Sequence, residues 1–315
     1  MLSERVHTFG QFLLKKYGER VHKIAIDAGF TCPNRDGAKG IGGCTFCNNA
    51  SFSPSERNSP ARIAPTLDSQ LDSGRRGIDR CTKARKYLAY FQAYTNTYAD
   101  VALLKAQYDA ALAMHGMIGL SVGTRPDCVP PEVLDLLAGY RDQGMEVWLE
   151  LGLQSAFDHS LERVNRGHGL REYIDTTQAA RRLGIPVCTH LIVGLPGEEA
   201  WHSRESLDIV LDIGTDGLKL HPLHVVKGTQ LANEWRRGEY TPLTQAEYID
   251  IAADLIERTP WEIVYHRVTG TSPANLLLTP EWCSHKWPVL NDITSELKRR
   301  ESRQGGKVYP SALPR

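Results

Sequence analysis

The sequence predicts an α/β fold in which a partial (β/α)6 barrel is followed by a mostly helical C-terminal extension. Short runs rich in β-branched and aromatic residues recur roughly every 30 to 40 residues after a first long gap. Segments with helical periodicity separate most of these runs. Strands and helices that alternate at this spacing are typical of βαβ units and a mostly parallel sheet. Six such units are too few for a full eight-stranded barrel, so we expect a partial one.

The predicted elements follow one another in the order that βαβ units require. An amphipathic helix opens the chain, and its apolar side consists of Val6, Phe9, Phe12 and Leu13. The predicted strands are Lys23–Asp27, Tyr87–Gln92, Met117–Val122, Glu146–Leu153, Pro186–Val193 and Gly217–Leu223. The predicted helices between the later strands are Asp100–His115, Pro131–Gly144, Leu170–Gly184 and Glu198–Ile213.

The chain divides into two predicted regions. We expect residues 1–225 to form the barrel core with its N-terminal helix, and residues 226–315 to form an extension that packs on the core. The extension contains one candidate strand, Glu262–Arg267, and ends in a basic helix. No internal repeat and no low-complexity linker separates the two regions.

The composition is that of a globular protein without a dominant charge. Of 315 residues, 41% are hydrophobic and 23% are charged, and 37 basic side chains balance 37 acidic ones. The charges are unevenly distributed, since residues 1–100 hold 15 basic and 9 acidic side chains while residues 101–285 hold 15 and 25. Residues 286–315 hold 7 basic and 3 acidic side chains. A polyanionic partner would therefore bind a local surface and not the molecule as a whole.

The sequence gives no sign of a membrane segment. No apolar run is long enough to cross a bilayer, so we expect no membrane partner. The first residues place Glu4 and Arg5 ahead of a short apolar stretch without a small-residue cleavage site, so we expect no signal peptide. We expect a cytoplasmic protein whose seven cysteines are thiols or metal ligands and not disulfides.

Three cysteines in the loop after the first predicted strand are the strongest chemical signal. Cys32, Cys44 and Cys47 have the spacing C-x11-C-x2-C within a glycine-rich segment. Three thiolates can hold a [4Fe–4S] cluster and leave one iron open for chemistry. The alternative is a zinc ion with a fourth ligand such as Cys283. The barrel favours the cluster, because active sites collect at the carboxyl ends of its strands.

Polar residues occur at the ends of four successive strands on what alternation predicts to be the barrel interior. In the fourth strand Trp148, Glu150, Gly152 and Gln154 share one face, and the aliphatic residues share the other. The same count pairs Gln92 with Tyr94, Lys219 with His221, and His190 with Ile192 and Gly194. Any single one of these side chains could be a satisfied core polar group. The coincidence of four strand ends favours a ligand site.

These features resemble the radical S-adenosylmethionine (SAM) superfamily, and the whole chain most resembles its YhcC/YtqA family. The matching stretches lie between about residues 29 and 229. They are GFTCPNRDG, GGCTFCN, YLAYFQAYTNT, VGTRPDCVP, VWLELGLQS, NRGH, HLIVGLPGE and LKLHPLHVVKGT. Weaker similarity continues in YHRV and WCSHKW. The resemblance implies a partial (β/α)6 TIM-like barrel of the radical SAM type.

The resemblance also implies a cofactor and a reaction. A [4Fe–4S] cluster held by Cys32, Cys44 and Cys47 would bind the methionine end of SAM, and one electron from the cluster would release a 5′-deoxyadenosyl radical. Such a reaction implies an electron donor such as flavodoxin or ferredoxin. The implied SAM-binding residues are Gln92, Tyr94, Glu150, Gln154, Arg166, His190 and Gly194. Among them, Gln154 and Arg166 resemble residues that contact the ribose and the carboxylate of SAM, and Gly194 begins the turn that passes the adenine.

The substrate is the feature that the sequence determines least. Elongator-type members of the superfamily act on the wobble uridine of tRNA, so the resemblance implies a tRNA substrate. Basic residues crowd the segment Arg75–Lys86 and the last helix, although such runs are usually solvated faces. A small metabolite, a protein substrate and a non-catalytic zinc scaffold stay open as alternatives. The remaining cysteines, which we expect to be buried thiols, are Cys81, Cys128, Cys188 and Cys283.

Overall fold

The fold is built around one curled parallel sheet. The computed structural model describes residues 1–51, 53, 66–82 and 84–308. Its strands are β1 (Val21–Ile26), β2 (Lys86–Phe91), β3 (Met117–Thr124), β4 (Glu146–Gln154), β5 (Val187–Val193), β6 (Gly217–Pro222), β7 (Val225–Val226), β8 (Val264–Arg267) and β9 (Leu277–Thr279). Seven of them form a half-barrel in the order β1-β2-β3-β4-β5-β6-β8, and each neighbouring pair is parallel. The short strands β7 and β9 pair antiparallel beside it.

Helices cover the outer face of this sheet. They are α1 (Phe9–Tyr17), α2 (Leu67–Cys81), α3 (Val101–Leu112), α4 (Pro131–Asp142), α5 (Asp158–Arg163), α6 (Leu170–Arg182), α7 (Ala200–Ile213), α8 (Gln230–Arg236), α9 (Gln245–Arg258) and α10 (Lys286–Arg299). Short 3-10 helices lie at Leu2–Glu4, Asn49–Ser51, Pro126–Cys128 and Glu281–Ser284. Within the described ranges, no helix combines the length and the apolar character that a bilayer crossing requires.

The alternation of side chains in β4 shows how the two faces of the sheet are used. Val147, Leu149, Leu151 and Leu153 pack outward in the large apolar core that the sheet shares with the helices. Trp148 lies on the inner face in a separate apolar cluster. Successive residues of a strand point to opposite faces, and parallel sheets are buried on both. The inner face therefore remains for the site described below.

Helix α1 closes the amino-terminal end of the half-barrel. Its first turn is capped by Thr8, whose hydroxyl accepts a hydrogen bond from the Gln11 N–H at 3.4 Å. Phe9 and Leu13 are buried, and the Phe9 ring meets the Trp148 ring edge-on with centroids 5.4 Å apart. The predicted amphipathic helix is thus confirmed, and the carboxyl end of the barrel remains the open one.

All six strands predicted for the core are confirmed, with ends that differ by at most two residues. The candidate strand Glu262–Arg267 is β8, which pairs with β6, so the sheet has seven strands and not six. The seventh was not predicted as part of the barrel because it follows two helices of the extension. The division at residue 225 stays a prediction, although the extension contributes β8 to the core sheet.

Candidate active site

A cavity of about 240 Å³ opens at the carboxyl ends of the strands. Eight of the ten predicted site residues line it, and they come from the loop after β1, from β4 and β5, and from the segments that follow β2 and α5. These eight are Cys32, Cys44, Cys47, Gln92, Tyr94, Gln154, Arg166 and His190. Residues that are up to 158 positions apart, from Cys32 to His190, therefore meet in one site as predicted.

Backbone hydrogen bonds shape the loop that carries the three cysteines. The Arg35 N–H donates to the Cys32 carbonyl at 2.8 Å, and the Cys47 N–H donates to the Cys44 carbonyl at 3.0 Å. Gly43 has a φ of 81°, and a Cβ there would lie 2.9 Å from Arg35 Nε. Glycine is needed at this position because the left-handed backbone and the Arg35 side chain leave no space for a larger residue. The loop thereby turns all three cysteines toward the cavity.

Two side chains other than the cysteines approach the Cys44 sulfur. Arg166 Nη1 donates to Cys44 Sγ at 3.6 Å, and Asn34 Nδ2 donates to the same sulfur at 3.9 Å. Asn34 Nδ2 also donates to the Arg166 carbonyl at 3.0 Å, so the two residues hold each other. Gly167 permits this approach, since a Cβ there would lie 2.3 Å from Asn34 Oδ1. Donors of this kind orient a thiolate ligand and tune a bound metal centre.

The described residues give no support to a single-ion zinc site at the cysteine loop. Within the part of the chain that the structure describes, no group of three or more His, Cys, Asp or Glu side chains could hold one ion. Cys283, the fourth ligand of the zinc interpretation, is buried and is not among the described residues that line the cavity. Burial and the neighbouring Cys44 raise the pKa of Cys47 to about 11. A bound metal centre would lower this pKa and favour the thiolate form.

Buried donors beside the cysteines indicate where ligand atoms belong. Arg166 Nε and Asn49 Nδ2 are buried and have no hydrogen-bond partner among the described residues. Buried N–H groups are nearly always hydrogen-bonded in proteins. Cluster sulfides and a ligand carboxylate are acceptors that would satisfy them. This observation fits a [4Fe–4S] cluster with SAM at its open iron.

Gly152 makes room for Arg166 and Gln154 at the end of β4. Arg166 Nη2 donates to the Gly152 carbonyl at 2.6 Å. A Cβ at residue 152 would lie 2.7 Å from Arg166 Nη2 and 2.7 Å from Gln154 Nε2. Gln154 itself has a φ of 83°, where the pairing of β4 with β5 shifts register. A non-glycine residue in this conformation is uncommon and is typical of functional sites.

Glu150 lies beneath the cavity and not on its wall. Its carboxylate is fully buried and contacts the ammonium groups of Lys23 and Lys219. It also accepts hydrogen bonds from Ser121 Oγ at 2.5 Å and from His190 Nε2 at 2.9 Å. Burial alone raises the pKa of Glu150, but the two lysines outweigh it and hold that pKa well below its usual value. Glu150 therefore acts on the cavity through its partners.

Two of the predicted cofactor contacts, Glu150 and Gly194, are not among the described residues that line the cavity. Glu150 is separated from the cavity by His190 and Lys219, because its position two residues before Gly152 places it deeper in the barrel. Gly194 is also not among the described lining residues. Its carbonyl accepts a hydrogen bond from Tyr240 Oη at 2.9 Å, so it joins the turn after β5 to the C-terminal region.

Arg125 is a site residue that sequence analysis missed. It is buried, forms a two-point ion pair with Asp127 at 2.9 Å, and donates to the Arg166 carbonyl at 2.7 Å. Its Nη2 also donates to the Gly167 carbonyl at 3.1 Å. Arg125 therefore fixes the loop that carries Arg166. The signal was present in VGTRPDCVP, where an arginine directly follows a buried strand.

The remaining cysteines are those of a protein interior. Cys128, Cys188 and Cys283 are free, buried thiols, as expected. Burial raises the pKa of Cys128 and of Cys283 to about 12. The side chain of Cys81 lies outside the described part of the chain.

Part of the basic sequence at the two ends is used within the molecule. Arg299 at the end of α10 and Arg300 directly after it both pair with Glu296 at 2.7 Å, and Arg300 also pairs with Asp250 and Glu257. In the segment Arg75–Lys86, Lys86 pairs with Glu19, between α1 and β1, at 3.1 Å. The side chain of Arg80 and residue 83 lie outside the described part of the chain. These ion pairs reduce the charge that α10 offers to a polyanion.

The burial of His190 predicts that acid destabilises the fold. Burial lowers the pKa of His190 to about 4, whereas an unfolded histidine titrates near 6.5. Below about pH 6.5 the unfolded chain therefore binds more protons, and the contribution of His190 to stability is lost as the pH falls toward 4. We expect His190→Gln, which keeps a donor for Glu150, to lose less stability than the wild type between pH 7.5 and 5.5.

Thermal unfolding midpoints measured anaerobically at the two pH values check this prediction. His115→Gln, a change at an exposed position, is the matched control, and its stability should depend on pH as that of the wild type does. The difference between variant and wild type cancels the acid sensitivity that they share. Equal losses in His190→Gln and in the wild type would contradict the assigned role of His190.

Two models of known protein families match the chain. A model of the radical SAM superfamily matches residues 31–210. A model of the radical SAM C-terminal domain matches residues 215–299. The first match contains the three cysteines and all the predicted cofactor contacts, and the second contains β6 and β8.

Some curated relatives resemble the chain over nearly its whole length, and others over about half of it. Protein YhcC of Escherichia coli (strain K12) is 48% identical over 314 residues, which are 100% of this chain and 97% of the relative. YtqA of Bacillus subtilis (strain 168) is 38% identical over 96% of this chain and 92% of its own length. The tRNA uridine(34) acetyltransferase of Methanocaldococcus jannaschii is 29% identical over 56% of this chain but only 32% of its own length.

Solved structures share the fold at low sequence identity. Elp3 of the archaeon Methanocaldococcus infernus, with residues 1–46 deleted, superposes with a TM-score of 0.67 and 20% identity. That match covers 90% of this chain and 64% of the other. Methylornithine synthase superposes with a TM-score of 0.53 and 12% identity over 92% of this chain and 85% of the other. At these identities the likeness establishes the fold alone.

Proposed function

Because the chain belongs to the radical SAM superfamily, we propose that it uses a cluster-bound SAM to modify the side chain of a tRNA wobble uridine. It is an enzyme of a class whose members bind a [4Fe–4S] cluster and SAM. The observation that carries the assignment of the site is the convergence of Cys32, Cys44 and Cys47 on one cavity with Gln154 and Arg166. The tRNA substrate is supported by the relatives and not by the cavity.

Three loop cysteines would hold the cluster, and neighbouring residues would hold SAM. A reduced [4Fe–4S] cluster with SAM at its open iron supplies the 5′-deoxyadenosyl radical. Arg166 and Asn34 fix the position of Cys44, and Gly152 leaves the Arg166 guanidinium on the cavity wall. The Arg166 Nε–H is free for a carboxylate oxygen. Apolar wall residues such as Ile192 limit the access of water.

The tRNA part of the proposal rests on partial similarity. The tRNA uridine(34) acetyltransferases match just over half of this chain. The matched region is about a third of the relative, so acetyl transfer does not come with it. We therefore propose a change at the uridine side chain by radical chemistry without an acyl-transfer step. The electron donor would be a small redox protein of the flavodoxin or ferredoxin type.

Nucleoside profiling of tRNA tests the proposed substrate. We expect a deletion strain to lose or accumulate one wobble uridine derivative, and the wild-type gene to restore the normal profile. A gene that encodes Cys32→Ala should not restore it. An unchanged profile in the deletion strain under all growth conditions would reject the tRNA substrate and favour a small metabolite or a protein. The formation of 5′-deoxyadenosine by the purified, reconstituted protein would still report the cofactor chemistry.

The close approach at Gly152 gives a prediction about SAM binding. Replacement of Gly152 by alanine would place a Cβ 2.7 Å from Arg166 Nη2 and Gln154 Nε2, so both must move. We expect SAM affinity to fall about tenfold or more, the equivalent of one lost charged hydrogen bond. The iron content should stay at the wild-type level, because the cysteines keep their loop.

Equilibrium binding of SAM to anaerobically reconstituted protein measures this effect. Gly139→Ala in α4 is the matched control, because an added Cβ there meets no atom within 4 Å. It should bind SAM as the wild type does. If Gly152→Ala binds SAM normally, then Arg166 and Gln154 do not hold SAM in the way that we propose.

A further inference from the structure

A β-bulge in the seventh strand of the sheet turns two consecutive side chains into the barrel. Leu218 of β6 is opposite Tyr265 of β8, but Lys219 is opposite Arg267, so His266 is an extra residue. His266 faces inward, since its ring stacks on Phe9 with centroids 3.9 Å apart. Arg267 also faces inward and lines the cavity. Bulges are frequent next to active sites, where they redirect a side chain.

Arg267 differs from the other arginines of the cavity because its guanidinium is unpaired. Arg35 donates to the Cys47 carbonyl at 2.7 Å, Arg125 pairs with Asp127, and Arg166 donates to the Gly152 carbonyl. Arg267 forms no hydrogen bond and no ion pair with any residue that the structure describes. It is also only partly exposed, so water solvates it incompletely. A half-buried cation without a partner costs free energy that an anion would recover.

Among the described residues, no unpaired carboxylate lies beside Arg267. None of the described residues that line the cavity is an aspartate or a glutamate. Glu150 beneath the cavity is already paired with Lys23 and Lys219. Burial lowers the pKa of His221, and the charge of Arg267 lowers it further, so this neighbour is a neutral hydrogen-bonding group. Burial and the charge of Arg267 also lower the pKa of Lys286 at the start of α10.

We propose that Arg267 binds an anionic group, a carboxylate or a phosphate, of the molecule that the enzyme modifies. The proposal rests on the proposed function in that the cavity admits a substrate beside SAM. The predicted SAM contacts come from β4, from β5 and the residue after it, and from the segments that follow β2 and α5, whereas Arg267 comes from the edge strand β8. The planar guanidinium can donate two parallel hydrogen bonds to either anion. Arg267 thereby selects substrates that carry such a group near the reacting carbon.

Anion titration of the reconstituted, SAM-loaded protein tests the proposal without any assumption about tRNA. The probes are inorganic phosphate, followed by ³¹P NMR, and acetate labelled with ¹³C. We expect one of them to bind the wild type and to bind Arg267→Met about tenfold or more weakly. Arg267→Lys, which keeps the charge but loses the fork, should lie between them. The probe that binds more tightly shows whether the site prefers a phosphate or a carboxylate.

Two matched measurements separate the anion site at Arg267 from the SAM site and from a general effect of surface charge. Arg236→Met removes an exposed cation of α8 and should leave anion binding unchanged. SAM affinity should change by less than about threefold in Arg267→Met. A tenfold loss of SAM affinity instead would assign Arg267 to the SAM carboxylate and overturn the proposal. The proposal would also be overturned if neither probe binds the wild type, or if Arg267→Met binds both probes as tightly as the wild type does.

The same variants keep this proposal distinct from the tRNA substrate. Loss of anion binding in Arg267→Met together with an unchanged tRNA profile in the deletion strain would reject tRNA and retain the anion site. An altered tRNA profile with equal anion binding in Arg267→Met and the wild type would retain the tRNA substrate and reject the anion site.

Discussion

Replacement of Cys44 by alanine is expected to abolish cluster binding and SAM cleavage together. Cys44 is buried, lines the cavity, and its sulfur receives the N–H groups of Arg166 and Asn34. Two remaining thiolates cannot hold a [4Fe–4S] cluster in place of three. Each iron–thiolate bond contributes to a metal-binding free energy on the order of 10 kcal/mol, so the loss should be nearly complete. Iron and sulfide content, visible absorbance and 5′-deoxyadenosine formation measure it.

Cys283→Ala is the matched control for this experiment. Cys283 is a buried thiol, like Cys44, but it is not among the described residues of the cavity wall. We expect the control to bind a full cluster and to lose about 1 kcal/mol of stability at most from the small cavity that it creates. If Cys44→Ala keeps the iron content of the wild type, or if Cys283→Ala loses the cluster, then the assignment of the three ligands is wrong.

The cysteine site could be predicted because its signal is local. Cys32, Cys44 and Cys47 lie within 16 residues, and one strand directly precedes them. The inward face of β4 was equally accessible, since a period of two in a strand needs only neighbouring residues. The seventh strand was harder to assign. The bulge at His266 breaks the alternation of β8, and its partner β6 lies more than 40 residues earlier in the chain.

The charge network under the cavity could not be predicted from spacing. Lys23 and Glu150 are 127 residues apart, and Lys219 and Glu150 are 69 apart. Only the closure of the sheet brings the three groups together, because β1, β4 and β6 all point these residues inward. Alternation along β4 therefore placed Glu150 correctly on the inner face, but it could not show that the side chain lies beneath the cavity and not on its wall. The structure makes Glu150 a buried partner of two lysines.

Replacement of Glu150 by glutamine is expected to destabilise the protein by about 3–5 kcal/mol, the usual cost of leaving a buried charge without its partner. The carboxylate is fully buried and contacts the ammonium groups of both Lys23 and Lys219. Glutamine keeps the shape and the hydrogen bonds from Ser121 and His190 but removes the negative charge. The expected loss therefore measures uncompensated charge and not a cavity.

The pH dependence of the variant separates these two causes. Burial lowers the pKa of Lys219 and Glu150 opposes this shift, so the loss of Glu150 lowers that pKa further below the value near 10.4 of an unfolded lysine. Without Glu150, the unfolded chain therefore binds more protons than the folded chain at neutral pH, and the stability of the variant should rise more than that of the wild type from pH 7 to pH 9. In the wild type the depressed pKa of Glu150 has the opposite range, because its contribution is present above about pH 4.3 and is lost only in acid.

A second substitution tests the network directly. In the double variant Glu150→Gln with Lys219→Met, one of the two unpaired ammonium groups is removed. We expect the double variant to be more stable than Glu150→Gln alone, because the two side chains are in contact and their effects are not additive. Thermal unfolding midpoints at pH 7 and pH 9 measure both effects. A single variant as stable as the wild type, or a double variant no better than the single one, would show that Glu150 is not what keeps the two lysines buried beneath the cavity.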